Sequence, residues 1–263
     1  MSEVTVVIPY AAKYTPYQRL AEAVASAQMQ SVGTKIDIVE DKELRGPAWA
    51  RNRGLERSKT RFVAFLDADD IWLPFKLEKQ LGLLESQCVG MCVDGANQPK
   101  DKFVINLIRG RISSLTPSIL IDKTKTIEKF DESLQRYEDH LFMTCVAMNS
   151  GIAFSGKTVV VRKHERGLSA SSSDYVRYLN KVNFLDKVNV LFPKIACQLP
   201  KEEFRMAYYG LGRNLMRRRE WNSAAVNLQH ALRYRSDLRA LLYYYYCRYE
   251  AFRSAGRTPY AAP

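Results

Sequence analysis

Arg61-Phe62-Val63-Ala64-Phe65-Leu66-Asp67-Ala68-Asp69-Asp70 is the stretch that decides the fold of this 263-residue chain. Five apolar residues follow one another without alternation, which suits a parallel strand buried on both faces. The run then breaks into three carboxylates within four residues. Open α/β sheets bind their ligands outside the carboxyl ends of such strands, so the position of these acids already points to a site.

The flanking sequence supplies the rest of an α/β layer. Val4–Ile8 is a β-branched strand ending at Pro9, and Thr15-Pro16 opens a helix to about Gln30 as N-cap and first helical residue. Lys35–Glu40 alternates as a strand and ends in Glu40-Asp41. Gly46-Pro47 turns into a helix over Ala48–Arg57, and a further helix is expected from Asp70–Pro74 to about Ser86. Strand and helix alternate, the pattern of a mostly parallel sheet flanked by helices. Beyond residue 88, Val89–Val93, Phe103–Leu107 and Ser118–Ile121 read as strands and Asn97–Asp101 as a turn. Tyr137–Met148 reads as a helix, Ile152–Arg162 as a strand or hairpin, Leu168–Asp174 as a serine-rich loop. Everything from Lys201 onward reads as helix. The expected division is a catalytic domain over 1–175, a connecting segment over 176–200 and a helical appendage over 201–263.

Hydrophobic content of 46% and charged content of 26% are those of a globular domain. No apolar run reaches the roughly 20 residues that cross a bilayer, so no transmembrane segment is expected. The first residues enter a strand without a basic region or cleavage site, so no secretory signal is expected either. Five scattered cysteines form no zinc pattern and are read as reduced, mostly buried thiols, with a cytoplasmic location. The net charge of +12 lies wholly in residues 151–263, which hold 20 Lys/Arg against 8 Asp/Glu and 11 of the 15 tyrosines. That asymmetry fits an anionic surface or polymer, or simply a solvated helical face.

Three neighbouring carboxylates repel one another unless a cation or hydrogen bonds offset them. Hard oxygen ligands of this kind suit Mg2+ or Mn2+ carried on a diphosphate, where the metal screens charge on the leaving phosphate. Read alone, the same acids serve as turn residues, with Asp70 capping the next helix.

They do not stand alone. Ala50-Arg51-Asn52-Arg53-Gly54-Leu55 followed by Phe62–Pro74 resembles the "ARN-G" helix, strand and "LDADD--P" of the family 2 glycosyltransferases of the GT-A fold. Val4–Tyr10 resembles their opening strand. Phe130-Asp131-Glu132-Ser133-Leu134 and Tyr137-Glu138-Asp139 resemble their "F-D-E-x-L … E-D" segment. The resemblance covers about residues 4–165 and implies an inverting, metal-dependent transfer of a sugar from a nucleoside-diphosphate sugar to an acceptor hydroxyl. By that resemblance Asp67 and Asp69 are the DxD pair, Asp67 near ribose or metal and Asp69 on the metal. Arg51 lies against the nucleobase or diphosphate, and Pro9 and Tyr10 line the nucleotide pocket. Asp139 is the general base and Glu138 its orienting neighbour; the bland alternative for both is an acidic helix start. His164 matches an "R-x-H … S" segment, with Ser169 and Ser171, that closes over the diphosphate and can supply a metal ligand, or is a surface histidine. His140 and His230 are read as structural. One departure stands out: Glu40-Asp41 is followed within five residues by Gly46, without the family's intervening βα unit. Asp41 then contacts the base from a trimmed loop, or the base pocket is built otherwise.

Residues 205–236 resemble one tetratricopeptide unit, with Tyr208, Leu211, Gly212, Leu215, Ala224, Leu228 and Ala231 at the helix-packing positions and Ser236 available to cap a third helix. A lone unit cannot bury its own face, so it is expected to pack on the catalytic domain. Trp221 is expected in its core. Arginines interleaved with Tyr243–Tyr246 and Tyr249 suit phosphate neutralisation and base stacking, or an anionic membrane surface. The acceptor classes are therefore a glycan or lipid-linked precursor, a hydroxylated base in modified DNA, or a protein side chain. The rival is a degenerate transferase whose tail recruits a partner.

Overall fold

The computed structural model describes residues 3–95, 97–112, 116–156, the backbone of 159–160, and 173–255. The chain divides into two compact units, 1–168 and 169–263. The first runs β1 (Val4–Tyr10), α1 (Tyr17–Gln28), β2 (Thr34–Glu40), α2 (Pro47–Arg57), β3 (Phe62–Phe65), β4 (Ile71–Trp72), α3 (Lys76–Gln87), β5 (Met91–Val93), α4 (Lys100–Ile108), β6 (Ile119–Asp122), α5 (Glu138–Ser150), β7 (Ile152–Phe154) and β8 (Val159–Val160). Six strands form one sheet in the order β2-β1-β3-β6-β5-β7. β1 lies parallel to β2 and β3, and β5 parallel to β7, whereas β6 runs antiparallel to both its neighbours.

The unbroken apolar run of β3 is explained by its place beside β1 in the middle of this sheet. Phe62 and Ala64 face a core with Val4, Val6 and Ile8 of β1, Leu20 and Ala23 of α1, and Leu77, Leu81 and Leu84 of α3. Val63 and Phe65 are equally buried on the opposite face. There α2 approaches so closely that a Cβ on Gly54 would lie 2.2 Å from Val7 Cγ1. Alanine is the better helix former by about 1 kcal/mol. The overlap dominates at this contact, and Gly54→Ala is expected to lower stability by about 1–2 kcal/mol, read as a fall in the chemical-denaturation midpoint at unchanged slope.

Three elements differ from the sequence reading. Phe103–Leu107, read as a strand, belongs to α4: Pro99 starts the helix, and Phe103, Val104, Leu107 and Ile108 are buried at helical spacing. β-branched residues give a short apolar run strand character that tertiary packing overrides here. The expected helix at Asp70–Pro74 is instead β4, whose Ile71 and Trp72 pair with Val160 and Val159. Trp72 is fixed there by Nε1 donating to the Pro117 carbonyl at 2.9 Å and its amide donating to Ser26 Oγ at 3.2 Å. α3 begins after Phe75, which takes a left-handed conformation at φ 65°. Residues 176–200, read as a connecting segment, are largely helical and group with the second unit.

That unit contains α6 (Asp174–Leu191), α7 (Pro193–Ala196), α8 (Lys201–Arg217), α9 (Trp221–Tyr234) and α10 (Leu238–Ala255). α8 and α9 form the expected hairpin, and their close approach requires Gly212, whose Cβ would fall 2.8 Å from Leu228 Cγ. Gly210 gives the same clearance to the Tyr178 ring of α6, so α6 covers part of the face that a lone hairpin leaves open. The Tyr208 ring stacks on His230 and Tyr234, and its hydroxyl donates to Asp186. Trp221 is half-buried, edge-on to Tyr246, rather than in the core. α10 is capped by Asp237, not Ser236: its Oδ1 accepts from the Ala240 amide at 3.0 Å. All five cysteines are free thiols; Cys92, Cys145 and Cys247 are buried, Cys88 and Cys197 exposed. No helix among the described residues is long and apolar enough to cross a membrane.

Candidate active site

Three pieces meet at the carboxyl end of β3. The strand leads through Leu66 into Asp67, whose carbonyl accepts from the Asp70 amide at 3.0 Å to close a turn that leaves Asp67 and Asp69 half-buried. α2 delivers Arg51 from beneath. α5 delivers Glu138 and Asp139 in its first turn, directly after Tyr137, which holds a left-handed φ of 68°. A non-glycine residue in that region marks a turn that its surroundings enforce.

Arg51 is the bridge. It is 4% exposed, with Nη2 donating to Asp67 Oδ1 at 2.8 Å and Nη1 to Glu138 Oε1 at 3.1 Å. Its guanidinium lies 5.4 Å from the centre of the Phe130 ring, and that ring stacks on Phe142 and meets Phe65 edge-on. Burial alone would lower the Arg51 pKa, but Asp67, Glu138 and Asp139 together outweigh it and hold the guanidinium charged. The family resemblance placed Arg51 against the nucleobase or diphosphate. In this structure both of its terminal nitrogens donate to carboxylates.

The adjacent acids are driven apart. Burial, with the neighbouring Asp139 charge, pushes the Glu138 carboxyl well above its ordinary range against the pull of Arg51. Burial also acts to raise Asp139, but the hydrogen bond and charge of His140, with Arg51, hold it below the usual range. Asp139 Oδ1 accepts from both the His140 amide and His140 Nδ1, each at 2.8 Å. A carboxylate offers no proton, so Nδ1 is the protonated nitrogen and Oδ1 is the oxygen that His140 engages. His140, read from sequence as structural, is the direct hydrogen-bond partner of Asp139.

At the end of β1, the Tyr10 carbonyl accepts from the Asp41 amide at 2.7 Å. The buried Asp41 carboxylate accepts from the Arg45 and Gly46 amides at 2.9 and 2.7 Å. Gly46, at φ 104°, supplies the left-handed turn this needs. The short loop is thus held by Asp41 itself, beside a pocket of about 290 Å³ lined by Ala12, Lys13, Glu40, Asp41, Lys42 and Leu44. Pro9 and Tyr10 lead into this end of the sheet, both half-buried. Among the described residues no three His, Cys, Asp or Glu side chains converge as a metal cluster. Asp67 and Asp69 still fit a hard divalent cation: they are two oxygen donors two residues apart, and Arg51 engages Oδ1 of Asp67. His164, Ser169 and Ser171 lie outside the described residues.

The model of glycosyl transferase family 2 matches residues 17–155, a span that holds α1 to β7 and all of these acids. The chain belongs to that family. A glycosyltransferase of Bacillus subtilis (strain 168) named for teichuronic acid biosynthesis, TuaG, is 42% identical over 85 residues, 29% of this chain and 33% of that one. The Escherichia coli UDP-Glc:alpha-D-GlcNAc-diphosphoundecaprenol beta-1,3-glucosyltransferase WfgD is 41% identical over 51 residues, 19% and 20% of the two chains. The matched stretches thus span a third or less of these relatives. Among solved structures, the mannosyltransferase PcManGT from Pyrobaculum calidifontis, in complex with GDP-Man and Mn2+, superposes with a TM-score of 0.57 at 16% identity. The match covers 98% of this chain and 81% of that one, a likeness of fold.

Within this family 2 chain, two features lay beyond the sequence reading. Asn52 Oδ1 accepts from the Phe130 amide, while its Nδ2 donates to the Phe130 carbonyl and to Glu132, all at 2.8–2.9 Å. The "ARN" residues thus clamp the "F-D-E … E-D" segment, Asn52 at its start and Arg51 at its end. Lys76, fully buried, donates to Gln80 Oε1 at 2.6 Å and lies over the Trp72 ring. Gln80 in turn donates to Asp94 at 3.1 Å and Ser155 to the same oxygen at 2.7 Å, which ties α3 to the ends of β5 and β7. Burial lowers the Lys76 pKa to about 8 against the pull of Asp94.

Proposed function

We propose that the chain transfers a sugar from a nucleoside-diphosphate sugar to a hydroxyl of a lipid-linked or polymeric glycan precursor, with inversion. The observation that carries this reading is the Arg51 bridge, which holds the DxD carboxylate Asp67 and the acid pair Glu138-Asp139 in one site. Asp139, the ionised member, takes the acceptor proton through Oδ2. The acceptor oxygen forms its bond to the anomeric carbon as the bond to the diphosphate breaks on the opposite face. Glu138 stays locked on Arg51 and orients the turn. Asp67 and Asp69 would hold Mn2+ or Mg2+ on the donor diphosphate, where the cation offsets charge on the leaving group. The loop around Asp41 and the adjacent pocket form the base end of the donor site, with Pro9 and Tyr10 as its floor.

The acceptor class is supported by the relatives named for teichuronic acid and for diphosphoundecaprenol-linked GlcNAc. The test is donor turnover: protein, Mn2+ and each nucleotide sugar in turn, with released nucleoside diphosphate measured. At least one donor is expected to be consumed by wild type and spared by Asp69→Ala. Equal behaviour of the two proteins across all donors would sink the reading.

His140 provides a pH signature. A donor to Asp139 Oδ1 favours the ionised carboxylate, so removing it raises the apparent pKa of the base. A charge-assisted hydrogen bond is worth about 1.5–3 kcal/mol, so the acid limb of kcat/KM in His140→Leu is expected about one to two pH units higher. His140→Asn, which keeps an N–H near the same place, is expected to restore most of the wild-type profile. Coincident profiles for wild type, His140→Leu and His140→Asn would show that His140 only packs.

A further inference from the structure

α10 carries a feature that the transfer reaction does not use. Leu238, Leu241, Leu242, Tyr245, Tyr246, Tyr249 and Phe252 are all exposed along it, Leu242 by 60%, Tyr249 by 61% and Phe252 by 81%. Leu238, Leu242, Tyr245, Tyr249 and Phe252 recur at spacings of four and three, so they form one stripe down about 20 Å of helix. With Leu241 that stripe is about 100° wide. Arg248 flanks it on one side, Arg239 and Arg253 on the other, all three exposed. The one acid of the helix, Glu250, is buried and accepts from Arg253 at 2.7 Å. The opposite face, with Ala240 and Cys247, is buried. Every exposed large side chain of α10 is thus aliphatic, aromatic or arginine.

We propose that α10 docks on an anionic lipid bilayer, its stripe sunk to the level of the headgroups and its arginines reaching the phosphates at both edges. Aromatic rings and leucines flanked by basic residues are the composition of a helix lying in the plane of a membrane interface. Two other occupants fit less well. A second copy packed along the same stripe would set arginine against arginine, with no exposed acid on the helix to answer them. A nucleic acid would use the exposed rings and arginines but leave Leu238, Leu241 and Leu242 without a partner, because aliphatic side chains gain nothing from phosphate or base faces. The inference stands apart from the transfer reaction, because it is read from binding alone.

The experiment is co-sedimentation of the full chain with vesicles of phosphatidylglycerol and phosphatidylcholine, and with phosphatidylcholine alone. Wild type is expected to sediment with the anionic vesicles, progressively less as salt rises, and to stay in solution with the neutral ones. Arg239→Gln with Arg248→Gln is expected to weaken partitioning about 30-fold, from roughly fivefold per basic residue near an anionic surface. Tyr245→Ser with Tyr249→Ser and Phe252→Ser is expected to abolish it at unchanged circular dichroism. Should that triple variant misfold, Tyr249→Trp reports insertion as quenching by brominated lipid beyond that of the three native tryptophans in wild type. No sedimentation of wild type, no added quenching in the tryptophan variant, or full binding by the folded triple variant overturns the proposal. So does a dimer in analytical ultracentrifugation that the triple variant dissociates, or duplex-DNA binding that needs the stripe when vesicle binding does not.

Discussion

Asp139→Asn is expected to cut kcat by a factor of about 10² to 10⁴, the usual contribution of a positioned general base, while leaving donor affinity near its wild-type value. The amide keeps an oxygen that can accept from the His140 amide and from Nδ1. The first turn of α5 should therefore hold its shape. What disappears is the carboxylate basicity that the proposed role requires. The substitution also removes the charge that helps push the Glu138 carboxyl upward, so Glu138 should ionise more readily in the variant. That gain opposes the stability lost with the ionised Asp139, which His140 and Arg51 favour in the folded state, so the net change in stability should be small. Single-turnover transfer together with calorimetric titration of the donor separates these effects. A loss of less than tenfold in the chemical step, or an equal loss in donor affinity, would remove Asp139 from the role of base.

The carboxyl-end acids were legible in the sequence because two independent constraints coincide there. A run apolar on both faces fits β3 in the middle of the sheet, between parallel β1 and antiparallel β6, and the carboxyl end of such a strand is where open α/β sheets bind ligands. The helices α1 and α2 were legible from the prolines at their starts, although α1 begins at Tyr17 with Pro16, not Thr15, at its N-cap and no side chain capping it. What the sequence hid was partnership. Arg51 carries a charge that suits phosphate as well as carboxylate, and nothing within α2 says that Glu138, 87 residues away, will claim it. The contact of His140 with Asp139 was not legible because the two are neighbours, and adjacent residues on a helix ordinarily do not face each other. The left-handed turn at Tyr137 changes where that helix begins, and such a turn leaves no composition signal when its residue is not glycine. α4 was misread for a different reason: Phe103-Val104-Ile105 satisfies strand and helix patterns alike, and only the sheet order excludes the strand. Asp41 was legible as a polar end of β2, but its use as the brace of its own loop depends on the positive φ of Gly46.

Arg51→Met is expected to be the most damaging single change to the folded state, at about 3–5 kcal/mol. The methionine fits the space, since the guanidinium already rests on the Phe130 ring. The cost comes from what it leaves behind: Glu138 at 8% exposure and the half-buried Asp67, both stripped of their countercharge. Arg51→Lys should recover little, because one ammonium cannot reach both carboxylates along the fork that Nη1 and Nη2 provide. The pH dependence tells this mechanism apart from simple mispacking. Glu138 already has a raised pKa in the folded protein, and losing Arg51 raises it further. A carboxyl with a raised folded pKa contributes most to stability when protonated, below its unfolded pKa, and that contribution is lost as pH rises through the folded pKa. The gap between wild type and Arg51→Met should therefore be widest near neutral pH and narrow as the solution is made acidic. Adding Glu138→Gln to the variant should close part of the gap at neutral pH and flatten its dependence on acid. Urea denaturation of the three proteins across this range measures all of it. A gap that stays constant with pH would place the role of Arg51 in packing, and the charge bridge between the two halves of the site would lose its basis.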